Sequence, residues 1–329
     1  NFAAMKTAIE IFSQLGARLV SFGVDDDSRR AIEAACRENG WFTPDDIIYS
    51  VGAIRDEMLD RSKLETWLSR YDLASGRRAD VAVIMAGNIP LVGFFDLMCV
   101  VAAGDRALIK PSNKDKVLMH YMIEVLREIE PDIPISDYGH QRVDAVIATG
   151  SDNANRYFKS EYAGIPSLLR GNRHSVAVLS GKESPADIEG LKSDIFRYSG
   201  LGCRNVSLIF MPQEYSLRLP EVEVSGKYRN NYLQNKAVMT MTGRRFTDHG
   251  SCITVESDEF PTALSQINIV RYGDLSEVTE WLKLHDNELQ CVVTDVVDHS
   301  RRTGFGMAQR PGLDDCPDDK DVMSFLLSI

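Results

Sequence analysis

Apolar residues recur every three or four positions over residues 1–75, a spacing that predicts amphipathic helices. The four helices expected there cover residues 4–22, 28–39, 44–59 and 62–71. Asp27 and Thr43 stand where side chains cap helix N-termini, ahead of the second and third of these helices. The segment carries no obvious chemistry, so we expect a helical cap or an oligomer surface.

From Val81 the pattern changes to short apolar runs, each followed by a helical stretch. Strands are predicted at residues 81–86, 106–110 and 145–148, an order typical of a doubly wound parallel sheet. In such sheets ligands bind at the carboxyl ends of the strands. Those ends carry three polar or glycine-bearing turns, at Asn88, Lys110 and Gly150-Ser151. They form a ligand face or are ordinary turn residues, since both uses favour these residue types.

A second α/β unit is predicted beyond residue 174. Its expected strands are residues 175–179, 206–211, 252–256, 267–272 and 290–294, and its expected helices are residues 186–198 and 276–285. Residues 214–250 are polar and predicted to be irregular.

Composition narrows the class of protein. The chain has 329 residues, 44% of them hydrophobic and 26% charged, which suits a soluble globular protein with two domains. A net charge of -11 without any basic stripe argues against a nucleic-acid-binding protein. No apolar run approaches the roughly 20 residues of a membrane span. We therefore expect a cytoplasmic protein with neither a signal peptide nor a membrane span.

The 6 cysteines and 6 histidines are dispersed along the chain. Without a Cys-x-x-Cys pair, the cysteines suit reduced thiols better than a disulfide framework. No His/Cys/carboxylate group has zinc-ligand spacing, so no metal is expected.

Cys203 is the strongest chemical candidate. It follows Gly200 and Gly202 in a turn between a predicted helix and a predicted strand, and Arg204 is beside it. Such a turn lets a substrate reach the thiol, and a neighbouring cation favours the thiolate. The alternative is a buried structural cysteine, the commoner use of a free thiol. Arg204 and Asn205 orient the thiolate or a phosphate, or they cap the preceding helix; the lone His174 receives no role.

Neither a Gly-x-Gly-x-x-Gly fingerprint nor a P-loop is present, yet longer motifs resemble a known family. They are "VAVIMAGNIPLVGF" from Val81, "ALIKPSNKDKVL" from Ala107, "DAVIATGSDNANRYF" from Asp144 and "DIFRYSGLGCRNVS" from Asp194. Together they resemble the LuxC-type fatty acyl-CoA reductases, a branch of the aldehyde dehydrogenase superfamily. The resemblance extends over most of the chain and is thinnest in residues 211–229 and in the acidic tail.

The resemblance implies roles for individual residues. Cys203 matches the family's acyl-accepting nucleophile, and Asn88 matches the asparagine whose amide joins the Cys203 N–H in the oxyanion hole. Lys110 matches the lysine that binds the adenosine ribose of the cofactor. Gly150-Ser151 falls at the turn that faces the pyrophosphate, and this turn replaces the missing glycine-rich loop.

Two departures from ordinary aldehyde dehydrogenases refine the expected chemistry. Residues 168–173 contain no acid where those enzymes carry the glutamate that promotes hydrolysis. Asn113, with Ser112 beside it, stands where many NAD-dependent members place a carboxylate, so a 2′-phosphate would not be repelled. These departures favour reduction of an acyl-CoA or acyl-protein thioester to an aldehyde, with NADPH preferred and NADH possible.

The expected organisation follows from the same resemblance. Residues 1–75 form a helical N-terminal region of the cofactor domain, and residues 76–172 the dinucleotide-binding domain. Residues 173–304 form the catalytic domain, and residues 305–329 return to the cofactor or oligomerisation side. A homodimer is expected. The alternatives are a CoA-acylating aldehyde dehydrogenase acting oxidatively and a noncatalytic homologue that keeps the fold; a cysteine hydrolase is weaker, because no histidine is suitably spaced.

Overall fold

The computed structural model describes residues 6–73 and 78–329. The chain divides into two compact units, Asn1–Asn172 with Arg310–Ile329, and Arg173–Gln309. The expected helix start at residue 4 and the expected boundary between residues 75 and 76 lie outside the described residues.

Helices precede the first strand, as the apolar spacing predicts. They are α1 (Ala8–Arg18), α2 (Asp26–Glu38), α3 (Pro44–Met58) and α4 (Arg61–Leu68). Thr43 caps α3 as predicted, accepting the Asp46 N–H. The prediction for α2 was wrong: Asp25, and not Asp27, is the cap, since its carboxylate accepts the Ser28 N–H at 2.8 Å. Asp27 instead lies in the first turn of the helix.

A parallel sheet of five strands forms the centre of the first unit. Its strands are β1 (Asp80–Ile84), β2 (Arg106–Lys110), β3 (Ile135–Asp137), β4 (Ala145–Thr149) and β5 (Ser167–Arg170), in the order β3-β2-β1-β4-β5. The connecting helices are α5 (Phe94–Ala102), α6 (Lys116–Ile129) and α7 (Asp152–Glu161). All four strand pairs are parallel. The order reverses between β1 and β4, the point at which doubly wound sheets bind ligands.

Both faces of this sheet are covered. Along β1, Val81 and Val83 belong to one hydrophobic core, whereas Ala82 belongs to a second core with Tyr162 beyond α7. Strands buried on both faces consist of continuous apolar runs, and the β1, β2 and β4 runs predicted those strands. β3 and β5 were not predicted because they are short and include polar residues.

The second unit is built on a sheet of seven strands. They are β6 (His174–Val178), β7 (Val206–Pro212), β8 (Thr247–Asp248), β9 (Ile253–Glu256), β10 (Gln266–Tyr272), β11 (Leu289–Thr294) and β12 (Arg302–Thr303), in the order β12-β11-β6-β7-β10-β9-β8. Its helices are α8 (Pro185–Phe196), α9 (Gly226–Met241) and α10 (Leu275–Leu284). Only the β8–β9 pair is antiparallel among the described strands. The five strands predicted for this unit are all present.

α9 corrects the prediction that residues 214–250 are irregular. Its buried residues include Tyr228, Tyr232 and Asn235, with Met239 as the only buried residue lacking a polar side-chain group. A helix that buries tyrosine and asparagine shows little apolar periodicity, so the sequence pattern did not reveal it.

The end of the chain packs on the first unit through α11 (Val322–Leu326). Val322, Met323 and Leu326 enter the same core as α5. In residues 6–73 and 78–329, no helix has the length and apolar character needed to cross a membrane.

A buried ion pair joins α5 to the end of β5. The Arg170 guanidinium donates to both carboxylate oxygens of Asp96, at 2.7 and 2.8 Å, and the two side chains are only 5% and 6% exposed. Asp96 is the one charged residue of an otherwise apolar helix. Two parallel N–H···O bonds make this a geometrically specific contact.

Asp96→Ala is expected to lower the free energy of unfolding by about 3–5 kcal/mol, because it leaves the Arg170 charge buried and unpaired. Urea unfolding followed by circular dichroism measures this change. Asp26→Ala is the control, since Asp26 pairs at 3.8 Å with Arg29 on the surface and such pairs contribute about 0–1 kcal/mol. Equal stability of the two variants would contradict the assigned role of the ion pair.

Candidate active site

The turn that presents Cys203 has an unusual backbone. Tyr198, Ser199 and Gly200 follow the end of α8 with φ values of 56°, 54° and 67°. The left-handed region costs a non-glycine residue roughly 1–2 kcal/mol, and Tyr198 and Ser199 are both buried. Glycine at position 200 was a visible signal of this turn, but the two side-chain-bearing residues before it were not.

Asn205 holds this turn from within. Its side-chain amide donates to the carbonyl oxygens of Asp194, Ile195 and Arg197, at 3.0, 3.2 and 2.9 Å. Its Oδ1 accepts the Gly202 N–H at 2.8 Å. The structure therefore decides between the two roles considered for Asn205: it caps α8 and in doing so fixes the backbone that precedes Cys203.

Ser175, at the start of β6, fixes the backbone on the other side of the thiol. Its hydroxyl donates to the Cys203 carbonyl oxygen at 2.8 Å and accepts the Cys291 N–H at 3.1 Å. Ser175 is fully buried, which limits the positions its hydroxyl can take. Two buried side chains thus set the position of the Cys203 backbone.

The Cys203 side chain itself is exposed. The other five cysteines are buried or half-buried, and Cys99, Cys252 and Cys291 lie in the core. Burial raises the pKa of Cys252 to about 12 and that of Cys99 well above its ordinary value. Cys203 is therefore the thiol that a substrate can reach most directly.

Asp194 and Arg204 tie this turn to residues 306–308. The Asp194 carboxylate accepts the Gly306 and Ala308 N–H groups at 2.7 and 3.0 Å, and Arg204 Nε donates to the Ala308 carbonyl. Burial raises the Asp194 pKa to about 7, while the two N–H donors and the Arg204 charge oppose the shift. The Arg204 side chain thus makes a structural contact with residues 306–308.

Asn88 lies just beyond β1 in the first unit and is half-buried. The ladder between β1 and β2 continues to Met85, whose N–H donates to the Lys110 carbonyl at 3.1 Å. A Cβ at Gly87 would lie 2.5 Å from the Ser112 Cβ, so only glycine permits this approach of the two strand ends.

Lys110 ends β2 with an exposed side chain. Its Nζ lies 3.3 Å from His140 Nε2. Ser112, two residues on, is half-buried and its Oγ accepts the Lys114 N–H at 3.3 Å. Lys110 and Ser112 therefore lie at the same end of the sheet as Asn88.

Gly150 and Ser151 connect β4 to α7. A Cβ at Gly150 would lie 2.9 Å from the Ala154 Cβ, which explains why this tight turn carries glycine. Ser151 caps α7 by accepting the Ala154 N–H, and the first residues of the helix are exposed. An exposed helix N-terminus offers backbone donors and a positive dipole end to an anion.

The predicted site residues belong to both units. Asn88, Lys110, Ser112, Gly150 and Ser151 lie at the carboxyl ends of β1, β2 and β4 in the first unit, and Cys203 precedes β7 in the second. His174, given no role from the sequence, stacks on Phe260 with ring centroids 4.2 Å apart. In the described ranges, no group of three or more His, Cys, Asp or Glu side chains is placed to hold a metal.

A family model described as acyl-CoA reductase (LuxC) matches residues 45–227, more than half of the chain. The chain belongs to this family. A long-chain acyl-protein thioester reductase from Aliivibrio fischeri is 26% identical over 211 residues, which cover 54% of this chain and 43% of the relative. The match thus spans less than half of that relative's length. The family model and this relative together confirm the resemblance inferred from the motifs.

Solved aldehyde dehydrogenases share the fold. Aldehyde dehydrogenase 21 from Physcomitrella patens is 14% identical with a TM-score of 0.63, over 91% of this chain and 75% of that one. An acetylating aldehyde dehydrogenase from Geobacillus thermoglucosidasius is 13% identical with a TM-score of 0.62, over 93% and 84%. The Mycobacterium tuberculosis enzyme complexed with NAD+ is 16% identical with a TM-score of 0.62, over 91% and 75%. These likenesses confirm the predicted fold class.

Sequence reasoning on this LuxC-family chain missed the buried polar residues around the candidate site. Ser175 and Asp194 anchor the Cys203 turn, and Asp96 pairs with Arg170. A signal existed for two of them: Asp194 lies between buried Leu191 and Ile195, and Asp96 lies in an apolar helix. A polar residue at an apolar helix position is a candidate for a buried hydrogen-bonding role.

Asn205→Ala should lower the free energy of unfolding by about 1–3 kcal/mol, since it leaves the half-buried Gly202 N–H and three carbonyls without this partner. Asn205→Asp should be at least as harmful, because a carboxylate would face those carbonyl oxygens. Urea unfolding measures both, with Asn230→Ala, an exposed asparagine of α9, as the control. An Asn205→Ala variant as stable as the control would show that the turn does not depend on this side chain.

Proposed function

We propose that this chain reduces a fatty acyl thioester, carried by CoA or by a protein, to the aldehyde. The acyl group passes through a thioester on Cys203, and NADPH supplies the hydride. The observation that carries the proposal is an exposed thiol on a turn held by two buried side chains, in a chain of the LuxC family. A thiol fixed and accessible in this way suits a covalent nucleophile.

The first half of the proposed reaction is acyl transfer. The Cys203 thiolate attacks the thioester carbonyl, and the Asn88 amide and the Cys203 N–H stabilise the oxyanion that forms. The carbon–sulfur bond to the donor then breaks, the donor thiolate leaves and takes up a proton, and the acyl group remains on Cys203. The Ser175 and Asn205 anchors support this step, since an oxyanion donor works by being positioned beforehand.

The second half is reduction. A nicotinamide cofactor, when bound, would supply the hydride. The Cys203 thioester would accept it at the carbonyl carbon, and the resulting thiohemiacetal on Cys203 would collapse to the aldehyde and the Cys203 thiolate. The overall change converts acyl thioester, NADPH and one proton to aldehyde, free thiol and NADP+. The residues of this chain fit such a cofactor. Lys110 presents an exposed ammonium at the end of β2, and the capped, exposed N-terminus of α7 suits a pyrophosphate.

The preference for NADPH forms part of the proposal. By the family resemblance, Asn113, with Ser112 beside it, stands where many NAD-dependent members place a carboxylate that holds the ribose 2′-hydroxyl. Neither side chain would repel a phosphate, and the Ser112 hydroxyl could donate to one. The matching M. tuberculosis structure contains NAD+, which supports a nicotinamide cofactor without distinguishing the two forms.

Residues 168–173 support reduction of the Cys203 acyl thioester by hydride over its hydrolysis by water. They contain no acid, and Arg170 among them is held in the buried pair with Asp96. A water molecule there would lack the carboxylate base that general base catalysis requires. We also propose that the protein is a cytoplasmic homodimer, on the basis of the family resemblance alone.

The runner-up is a CoA-acylating aldehyde dehydrogenase, which would run the same steps oxidatively. The acetylating aldehyde dehydrogenase from G. thermoglucosidasius has the same fold, so the fold does not distinguish the two directions of reaction. Assays with acyl-CoA plus NADPH, and with aldehyde plus CoA plus NADP+, compare the two directions.

Radiolabelled acyl-CoAs of graded chain length, given without NADPH, are expected to label Cys203. Cys203→Ala should abolish the label, whereas Cys316→Ala, at a half-buried cysteine, should keep it. Asn88→Ala should slow labelling by about 10²–10³-fold, the usual cost of losing one oxyanion donor. Peptide mass spectrometry locates the label, and an acyl group on another residue of Cys203→Ala would contradict the mechanism.

A further inference from the structure

Asp115 has a buried carboxyl group that does not cap the helix it precedes. It is the residue that precedes α6, where aspartate normally accepts an N–H of the first helical turn, yet it makes no side-chain capping bond there. Instead, Oδ2 accepts the Leu91 N–H at 2.7 Å. Asp115 is 4% exposed, so this contact is sheltered from water.

The Leu91 contact holds the loop that carries Asn88. Leu91 is buried and has a φ of 57°, a left-handed conformation that needs support in a residue with a branched side chain. The preceding carbonyl, of Pro90, accepts the Ser50 hydroxyl of α3 at 2.9 Å. Two side chains from outside the loop therefore fix its backbone within three residues of Asn88.

The same aspartate also contacts the loop before Asn88. A Cβ at Gly87 would lie 3.2 Å from the Asp115 Cβ, in addition to its conflict with Ser112. Asn88 thus lies between Gly87 and Leu91, and both of these residues approach Asp115.

The burial of Asp115 is not explained by stability alone, because part of its carboxyl group destabilises the fold. Asp115 Oδ1 is buried and has no hydrogen-bond partner, and an unsatisfied buried oxygen lowers stability. Burial raises the pKa of the carboxyl well above its usual range, so a neutral acid is favoured. A buried polar group with an unmet bond calls for another explanation, such as a functional one.

We propose that Asp115 is a positioning residue, which holds the 88–91 loop so that the Asn88 amide meets the oxyanion of the acyl-transfer step. Ser50 assists it from α3. The inference rests on the proposed function, because it assigns Asp115 an effect that acts through Asn88.

A double-mutant cycle between Asp115 and Asn88 tests this. Acylation of Cys203 is followed in single turnover with a radiolabelled acyl-CoA and no NADPH. Asp115→Ala should lower the limiting rate constant by about 10- to 100-fold, part of the 10²–10³-fold effect of an oxyanion donor, with little change in half-saturation. In an Asn88→Ala background, the same substitution should change the rate constant by less than about threefold, since coupled residues are not additive.

Asp115→Asn and Asp105→Asn serve as comparison variants. Asp115→Asn keeps an oxygen for the Leu91 N–H and should recover most of the rate lost in Asp115→Ala. Asp105 is also buried and accepts one backbone N–H, from Ala79 at 2.8 Å, but it lies at the amino end of β2. Asp105→Asn should therefore leave acylation within about threefold of wild type. Circular dichroism establishes that each variant is folded.

The outcomes separate the inference from the proposed function. Equal slowing by Asp115→Ala in the presence and absence of Asn88 would overturn the inference while acylation of Cys203 still stood. A folded Asp115→Asn variant as slow as Asp115→Ala would overturn it as well. No label on wild-type Cys203, or no slowing by Asn88→Ala, would instead contradict the proposed function.

Discussion

The fixed backbone on either side of Cys203 is the constraint on which the candidate site depends. Left-handed residues 198 and 199 cost roughly 1–2 kcal/mol each, and such strain persists only where surrounding contacts determine it. Asn205 supplies four of those contacts and Ser175 one more. Because both side chains are buried, the thiol can be exposed without its backbone becoming loose.

The two sheets present their candidate chemistry at opposite strand ends. In the first unit, Asn88, Lys110 and Gly150 follow β1, β2 and β4 at the carboxyl ends, where doubly wound sheets bind ligands. In the second unit, Cys203 precedes β7 and its carbonyl is bound by Ser175 at the start of β6, so it lies at the amino ends. The preference of ligands for carboxyl strand ends therefore predicts the first group of residues. Cys203 is predicted only from the chemistry of a thiol in the Gly-Leu-Gly-Cys turn.

The sequence predicted elements whose burial follows a regular pattern. Continuous apolar runs located β1, β2 and β4, and Thr43 before Pro44 located the start of α3. The sequence pattern did not predict β3, β5 or α9, because their residues are polar or the segment is short. The buried polar contacts of Ser175 and Asp115 were not predicted either: each residue is visible in the sequence, but its partner is set by the tertiary fold. Roles for Asn88, Lys110 and Cys203 came from motif resemblance, and they stay proposals.

In the proposed reaction, the acyl group stays bound to Cys203 as a thioester until a hydride reduces it to the aldehyde. Intact-protein mass spectrometry of the isolated acyl-enzyme tests this directly, with portions held in buffer alone or given NADPH. The acyl mass is expected to persist in buffer and to disappear with NADPH, with one equivalent of aldehyde and one of NADP+ released per acyl group. Release of fatty acid in buffer alone, or an acyl mass that NADPH leaves unchanged, would contradict it.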